Sequence, residues 1–238
     1  MVRRVIYPLL DLIYPPHCYI CNDPLSTHRY ICENCLSSFE KITDPVCEKC
    51  GKPVQDSGGV CSECSEGDRE YFLARSYGVY RPGGGLAEAI GGLKYEGERA
   101  LARDLAPLLN EGKPGYLLSR VDGLTFVPAS REKLSRRGFN QAELLARVVS
   151  RKFEVPLFRT LVKEVETEPQ AELNREERLK NVKGSFASEN PVEYESVLLV
   201  DDVFTTGATA SECSKVLKEA GASRVCVATL ARSYPESD

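Results

Sequence analysis

After Tyr71, stretches with the apolar pattern of strands alternate along the chain with stretches that have the apolar period of helices. Alternating or continuous apolar runs predict strands at residues 75–80, 121–127, 157–161, 197–200 and 224–230. A period near 3.6 predicts helices at residues 83–95, 98–109, 141–153 and 209–220, the first weakened by Gly91-Gly92. Residues 165–185 are polar and charged and predict a long loop with room for one helix. Alternating strands and helices favour a parallel sheet with right-handed crossovers.

The first part of the chain instead carries paired cysteines and little apolar periodicity. Eight of the ten cysteines form four C-x-x-C pairs: Cys18/Cys21, Cys32/Cys35, Cys47/Cys50 and Cys61/Cys64. No signal sequence is recognised, so we expect a reducing compartment and metal ligation rather than disulfides. Two such pairs supply four thiolates for one tetrahedral Zn²⁺, and structural zinc can contribute about 10–16 kcal/mol of apparent folding free energy. The cysteines therefore predict two zinc sites.

The spacing favours sequential sets, in which the first two pairs bind one ion and the last two bind the other. A cross-braced pairing would use the same residues and stays open. Gly51 suits the tight turn of a zinc knuckle, and we interpret His17 and His28 as bystanders. The remaining cysteines, Cys213 and Cys226, lie in apolar stripes and are expected to be inert core residues.

Composition sets only broad limits. The chain has 238 residues, which suggests one or two domains, and we place a boundary between residues 1–67 and 68–238. A net charge of −4 offers no global basic field for nucleic acid, so such binding would need a local patch. Residues 1–16 predict a short amphipathic helix docked on the body, with membrane-surface contact as the alternative. No stretch is long enough to span a bilayer, and we expect a cytoplasmic protein that could sit at the inner face of the membrane.

The most informative stretch is residues 197–210, VLLVDDVFTTGATA. Asp201 and Asp202 follow an apolar run, where ligands bind beyond the carboxyl ends of parallel strands, and can accept hydrogen bonds from ribose hydroxyls. Backbone N–H groups of residues 205–209 can surround a phosphate at a helix N-terminus. The Gly-Lys-Ser/Thr of a Walker A loop is absent. The pattern predicts a sugar-phosphate site; the alternative is a buried strand followed by a polar turn.

A basic segment follows the predicted strand at residues 121–127. Residues 128–143, PASREKLSRRGFNQAE, place four cations between strand and helix: Arg131, Lys133, Arg136 and Arg137. If the strands are parallel, this loop shares a sheet edge with the acidic pair, and together they suit a ligand with a phosphate, a ribose and a diphosphate. A solvated basic loop and a salt-dependent contact for a nucleic-acid backbone are the alternatives.

These motifs carry a resemblance to a known family. VLLVDDVFTTGAT resembles the phosphoribosyl diphosphate (PRPP) motif of type I phosphoribosyltransferases. Over nearly its full length the chain resembles the ComF family: the cysteine pairs are followed by LKYEGERALA, VPASREKLSRRGFNQAELLA, EPQAELNREERLKNVKGSF and the PRPP motif. The resemblance implies an α/β fold, with an N-terminal double zinc ribbon and a type I phosphoribosyltransferase-like parallel sheet. It also implies a role in natural transformation, in which single-stranded DNA crosses the inner membrane.

The resemblance also implies roles for individual residues. Asp201 and Asp202 would hold the ribose hydroxyls, directly or through Mg²⁺. The 5-phosphate would lie on Thr205, Thr206, Gly207, Ala208 and Thr209. Residues 130–138, above all Ser130, Arg136 and Arg137, would bind the diphosphate. Gln170, Arg178 and Asn181 would lie in a mobile loop, and Lys94 would face the site.

Two functions then compete. Transfer from PRPP requires positioned reactants, a neutralised diphosphate and excluded water, and Mg²⁺ fits this oxygen-rich site. The sequence supplies those parts but no clear pocket for an acceptor. The chain is therefore either a transferase with an unnamed acceptor or a DNA-handling protein whose PRPP pocket is a sensor or a phosphate grip. The second function would add single-stranded DNA and a competence helicase or ATPase as partners.

Overall fold

A computed structural model describes residues 16–26, 29–55, 59–67, 69–165 and 181–233. The predicted N-terminal helix, His28, Gln170 and Arg178 lie outside these ranges. The described strands are β1 (Leu73–Val79), β2 (Gly123–Phe126), β3 (Leu161–Lys163), β4 (Phe186–Ser188), β5 (Ser196–Phe204) and β6 (Arg224–Arg232). The described α-helices are α1 (Glu33–Ser37), α2 (Ser62–Ser65), α3 (Gly85–Gly91), α4 (Ala102–Leu105), α5 (Gly112–Leu118), α6 (Arg131–Arg137), α7 (Gln141–Phe153) and α8 (Ala208–Glu219).

The central sheet has the strand order β1-β6-β5-β2, and every pairing in it is parallel. Successive residues of β5 face two different cores: Leu198 and Val200 pack in one cluster, and Val197 and Leu199 in the other. Burial on both faces explains why the strand is a continuous apolar run rather than an alternating one. Parallel strands put the carboxyl ends of β2 and β5 side by side, so the predicted common edge for the two polar segments is confirmed.

β5 is longer than its apolar run predicts. The predicted strand stopped at residue 200, whereas backbone pairing with β6 continues through Asp201↔Thr229 to Phe204↔Arg232. β2 ends earlier, at the pair Phe126↔Val200. Among the described strands, the acidic pair therefore has β6 alone as a neighbour, because β2 ends before it.

The helices between β1 and β2 are more broken than predicted. A π-helix (Gly92–Glu96) continues α3, and 3-10 turns (Arg99–Leu101 and Ala106–Asn110) flank α4. Gly92 lies against Tyr19, because a Cβ at this glycine would stand 2.3 Å from the Tyr19 hydroxyl. Tertiary contact with the cysteine-rich region thus coincides with the departure from regular α-helix.

The other differences are local. The predicted strand at residues 157–161 was wrong: Leu157 makes only an isolated bridge to Leu124, and β3 begins at Leu161 in a separate antiparallel pair with β4. The predicted helix at residues 141–153 is confirmed as α7. Cys213 and Cys226 are both buried, as expected for core residues.

The cysteine-rich region packs closely on the sheet. Residues 40–42 run along the outer edge of β1, where the Ile42 N–H donates to the Tyr77 carbonyl at 2.9 Å and the Val79 N–H to the Glu40 carbonyl at 2.9 Å. This contact covers an edge strand that would otherwise expose unpaired backbone groups. The boundary at residue 67 stays a prediction, since the two parts share buried contacts.

Candidate functional site

The eight paired cysteines form two compact sets. Within each set the four sulfur atoms all lie within 4.8 Å of one another, and the sets are sequential: Cys18, Cys21, Cys32 and Cys35, then Cys47, Cys50, Cys61 and Cys64. The sequential grouping leaves no cross-braced set. Four converging sulfur donors fit tetrahedral Zn²⁺, so the donor sets support two structural zinc sites. His17 is exposed and belongs to neither set.

Backbone N–H groups favour a thiolate at one cysteine of each set. Cys18 Sγ accepts from the Cys32 N–H at 3.3 Å, and Cys47 Sγ accepts from the Cys61 N–H at 3.3 Å. Burial raises the pKa of both thiols, but the hydrogen bonds that each sulfur accepts, including one from Cys50 to Cys47, together outweigh it. They bring the pKa of Cys18 to about 6 and that of Cys47 to about 7. The same local geometry occurs twice, as expected for a tandem metal module.

One member of the acidic pair, Asp202, forms an ion pair with an internal cation. Lys94 Nζ lies 2.9 Å from Asp202 Oδ1, and the side chains are 21% and 11% exposed. Asp201 Oδ1 accepts the backbone N–H of Asp202 at 2.8 Å. Lys94 stands in the π-helix, so the expectation that it faces the site agrees with the ion pair.

Burial, together with the neighbouring carboxylate of Asp202, leaves Asp201 easy to protonate. Burial and the neighbouring charge of Asp202 raise the pKa of Asp201 to about 7, although the charges of Lys94 and Lys133 act in the opposite direction. Burial would lower the pKa of Lys94, but the charge and hydrogen bond of Asp202 outweigh it and hold that pKa above its usual value. A cation placed between the carboxylates would relieve their repulsion.

The loop after β5 has the shape of an anion cradle. Gly207 has φ +78° and caps α8, and a Cβ there would lie 2.6 Å from the Phe204 ring. Within the described ranges, the backbone N–H groups of Thr205, Thr206 and Gly207 make no hydrogen bond, whereas the Ala208 N–H reaches the Thr206 hydroxyl at 3.3 Å. Free amides at the N-terminus of a twelve-residue helix favour a bound anion.

The basic segment after β2 is a helix, not the predicted loop. Ser130 caps α6 by accepting the Lys133 N–H at 3.3 Å, and Gly138, at φ +74°, ends it. An acid in the first turn and arginines in the last turn suit the helix dipole. Ser130 is 2% exposed, so its hydroxyl serves the cap. Arg136 is exposed, while the Arg137 guanidinium lies 4.9 Å from the centre of the Tyr95 ring.

The contacts that connect the cysteine-rich region to this site were not predicted from the sequence. Arg232 is 2% exposed, donates to the Cys50 carbonyl at 2.8 Å and lies 4.6 Å over the Phe204 ring. The first ribbon reaches the π-helix, where the Tyr19 hydroxyl donates to Glu96 at 2.8 Å. The sequence did carry one signal for the contact between Arg232 and Cys50, since Arg232 is a charged residue at the end of the apolar strand β6. Each ribbon thus supports a different part of the site.

The structure brings most predicted site residues to one sheet edge. The acidic pair lies near the end of β5, and the Gly207 loop and α6 follow the neighbouring parallel strands β5 and β2. The charge of Lys133 also acts to lower the pKa of Asp201. Asn181 begins the described segment 181–233. Tyr95, beside Lys94 in the LKY motif, was not predicted. No helix among the described residues is long and apolar enough to cross a membrane.

The fold is mixed α/β with a parallel sheet, and a helix begins shortly after the acidic pair. Together with the two four-cysteine sets, these features define a zinc-ribbon protein with a phosphoribosyltransferase domain. A double zinc ribbon domain model matches residues 9–65, and a phosphoribosyl transferase domain model matches residues 139–236. Competence protein F of Haemophilus influenzae is 32% identical over 212 residues, covering 85% of this chain and 90% of that protein.

Two further relatives agree. Competence protein ComFC of Bacillus subtilis is 31% identical over 218 residues, covering 88% of this chain and 87% of that protein. DNA utilization protein YhgH of Escherichia coli is 30% identical over 228 residues, covering 93% of this chain and 99% of that protein. The chain belongs to the ComF family.

Proposed function

We propose that this protein binds PRPP with Mg²⁺ at the carboxyl edge of the sheet and uses that site in the handling of single-stranded DNA. The observation that carries the proposal is the juxtaposition of three parts: an acidic pair of which Asp202 is buried, a loop with free amides at a helix N-terminus, and a basic helix that follows the neighbouring strand. A pentose with phosphates at both ends needs these three kinds of group.

Each part has a role in this proposal. Asp201 and Asp202 accept the ribose hydroxyls, directly or through Mg²⁺, whose preference for carboxylate and phosphate oxygens suits this place. The loop and first turn from Thr205 to Thr209, including Thr206, Gly207 and Ala208, bind the 5-phosphate. Arg136 and Arg137 neutralise the diphosphate, and Ser130 acts by starting the helix that presents them. Lys94 compensates one of the two adjacent negative charges while the pocket is free.

The part of the proposal that concerns DNA is supported by the relatives, which are named for competence and DNA utilization. The exposed cations of α6 provide a local patch that can contact a phosphate backbone despite the net negative charge. On the strength of the family resemblance, the proposal also includes a competence helicase or ATPase at the inner membrane as a partner and a cytoplasmic location for this protein.

An active phosphoribosyltransferase is the second candidate, because the same groups would bind PRPP for transfer. The chain would then position the sugar, hold the leaving diphosphate on α6 and exclude water from C1. The two candidates differ in one measurable respect: only the transferase releases diphosphate when an acceptor is added.

The test is calorimetric titration with PRPP and Mg²⁺, with and without a single-stranded oligonucleotide. Asp201→Asn should weaken PRPP binding about tenfold or more, since a hydrogen bond to a charged group contributes about 1.5–3 kcal/mol. Asp201 is preferable to Asp202, whose loss would also leave Lys94 without its partner.

Glu189→Gln is the matched control. Glu189 lies near the carboxyl end of α8, at the opposite end from the loop, and its replacement removes the same charge. Equal affinity in Asp201→Asn and the control would remove the acidic pair from the site. Absence of PRPP binding by the unaltered protein would refute the proposal as a whole.

A further inference from the structure

We propose that Tyr95 and Arg137 form a stacking platform for a nucleobase at the mouth of the PRPP site. This inference rests on the proposed function and adds a ligand class to it. A base held there would come from single-stranded DNA, or would be a free nucleobase if the protein is a transferase. Both sources share one chemistry, a planar aromatic ring.

The first support is the exposure of Tyr95. Its side chain is the most exposed large hydrophobic residue in the described part of the chain, at 71%, compared with 52% for Phe72 and for Tyr116. An aromatic ring this open is available to a ligand without any rearrangement of the core. Tyrosine presents a large, rigid contact face at a small cost in side-chain entropy.

The second support is that the backbone under the ring is fixed. Lys94, the preceding residue, is anchored by its ion pair with Asp202, and its carbonyl accepts from Gln141 Nε2 at 3.5 Å. Glu96, the following residue, accepts from the Tyr19 hydroxyl at 2.8 Å. Tyr95 stands between these two anchors on a π-helix, a conformation frequently found at functional sites. The exposed ring is therefore held close to the acidic pair.

The third support is charge. The Arg137 guanidinium lies 4.9 Å from the Tyr95 ring centre, and its Nε is buried without a hydrogen-bond partner. Arg131, Lys133 and Arg136 are exposed on the same helix as Arg137, α6. Aromatic rings bordered by cations bind single strands by stacking on bases and neutralising the backbone. A lipid surface would favour an apolar patch, but Glu96 and Glu98 flank this ring.

A tryptophan substitution offers a direct test, because the chain contains no tryptophan. Tyr95→Trp creates a single fluorophore whose emission should be quenched when a base stacks on it. Tyr116→Trp is the matched control: Tyr116 is also exposed and lies under a guanidinium, that of Arg120 at 4.0 Å, but it belongs to α5. We expect oligonucleotide to quench the first variant and leave the second unchanged.

Affinity provides an independent readout. Tyr95→Ala should weaken single-strand binding about 5- to 150-fold, the range expected from base–aromatic stacking. Tyr95→Phe should stay within about twofold of the unaltered protein, because it keeps the ring. The exposed position makes misfolding of these variants easy to detect by circular dichroism. Tyr95→Phe should also keep the PRPP affinity, because it keeps the ring that packs on Arg137.

The arms of the titration separate the sources. An oligonucleotide, an abasic strand of equal length and free nucleobases are each titrated into both tryptophan variants. Quenching by base-containing strands identifies DNA, and quenching at lower concentration by the free nucleobases identifies a free base; both results support the platform. Quenching by the abasic strand to the same extent, or equal quenching of both variants, would overturn it. Failure of the proposed function is seen separately, as loss of PRPP binding in the unaltered protein.

Discussion

Gly207→Ala tests the shape of the phosphate loop. At φ +78° a residue with a Cβ loses about 1–2 kcal/mol relative to glycine. The new Cβ would also lie 2.6 Å from the Phe204 ring and 3.3 Å from the Tyr71 hydroxyl, both in buried side chains. Overpacking of this kind costs about 1–3 kcal/mol, so we expect a total destabilisation of about 2–5 kcal/mol.

Gly83→Ala is the matched control for this prediction. Gly83 has nearly the same backbone angle, φ +76°, but nothing lies within 4 Å of its Cβ position. Backbone strain and the change in unfolded-state entropy are common to both variants, so their difference of about 1–3 kcal/mol isolates the contact with Phe204.

The assay is urea unfolding followed by circular dichroism with zinc present in excess, together with PRPP calorimetry. Gly207→Ala should unfold at lower urea and lose PRPP affinity, and Gly83→Ala should keep the affinity. Equal loss of stability in the two variants would refute the packing of Phe204 under the loop. Full PRPP affinity in Gly207→Ala would refute the loop as the phosphate site.

Three further predictions follow from the site and its supports. Because the pKa of Asp201 is raised to about 7, PRPP·Mg²⁺ binding should release a proton and weaken as pH falls through 7, which calorimetry in buffers of different ionisation enthalpy will measure. Arg232→Met should weaken PRPP binding and speed zinc loss from the second cysteine set, because this arginine joins the Cys50 carbonyl to the base of the loop; zinc release to a colorimetric chelator will measure the rate. Chelation of zinc should lower the thermal midpoint of the sheet as well as the ribbons, because Cys47 and Cys50 pack in the core that contains Val197; far-ultraviolet circular dichroism will follow both.

One result would contradict each of these three predictions. Affinity that rises as pH falls would mean that protonated Asp201 is the binding form. The same rate of zinc release from Arg232→Met and the unaltered protein would show that the ribbon is held by other contacts. An unchanged thermal midpoint after chelation, with metal loss verified by elemental analysis, would show that the sheet core does not depend on the metal.

Local patterns were sufficient for a large part of this protein. The spacing of the cysteine pairs predicted two four-ligand sets, because each ligand pair lies in one short turn. The period of apolar residues predicted α7 with its observed bounds, Gln141–Phe153, because an amphipathic helix is written in consecutive residues. The order of apolar run, acidic pair and glycine loop placed the candidate phosphate site at the end of β5 before any contact was known.

Cap signals could have corrected one wrong prediction. Ser130, Glu132 and Gly138 stand at the positions that start and end a helix, yet the density of basic residues suggested a loop. The extension of β5 was different. Asp201 and Asp202 are polar, and they separate Val203 and Phe204 from the apolar run. These four residues stay in the sheet only because β6 beside them is long enough to pair with them.

The sequence by itself therefore determined the metal ligands, the parallel α/β class and the position of the acidic and basic segments along the chain. Tertiary structure alone decided that Lys94 neutralises Asp202, that Arg137 lies over Tyr95 and that Arg232 reaches Cys50. These partners are tens to hundreds of residues apart in the chain. Apolar periodicity records which face of an element is buried, but contacts between distant side chains depend on how crossovers and packing bring those faces together.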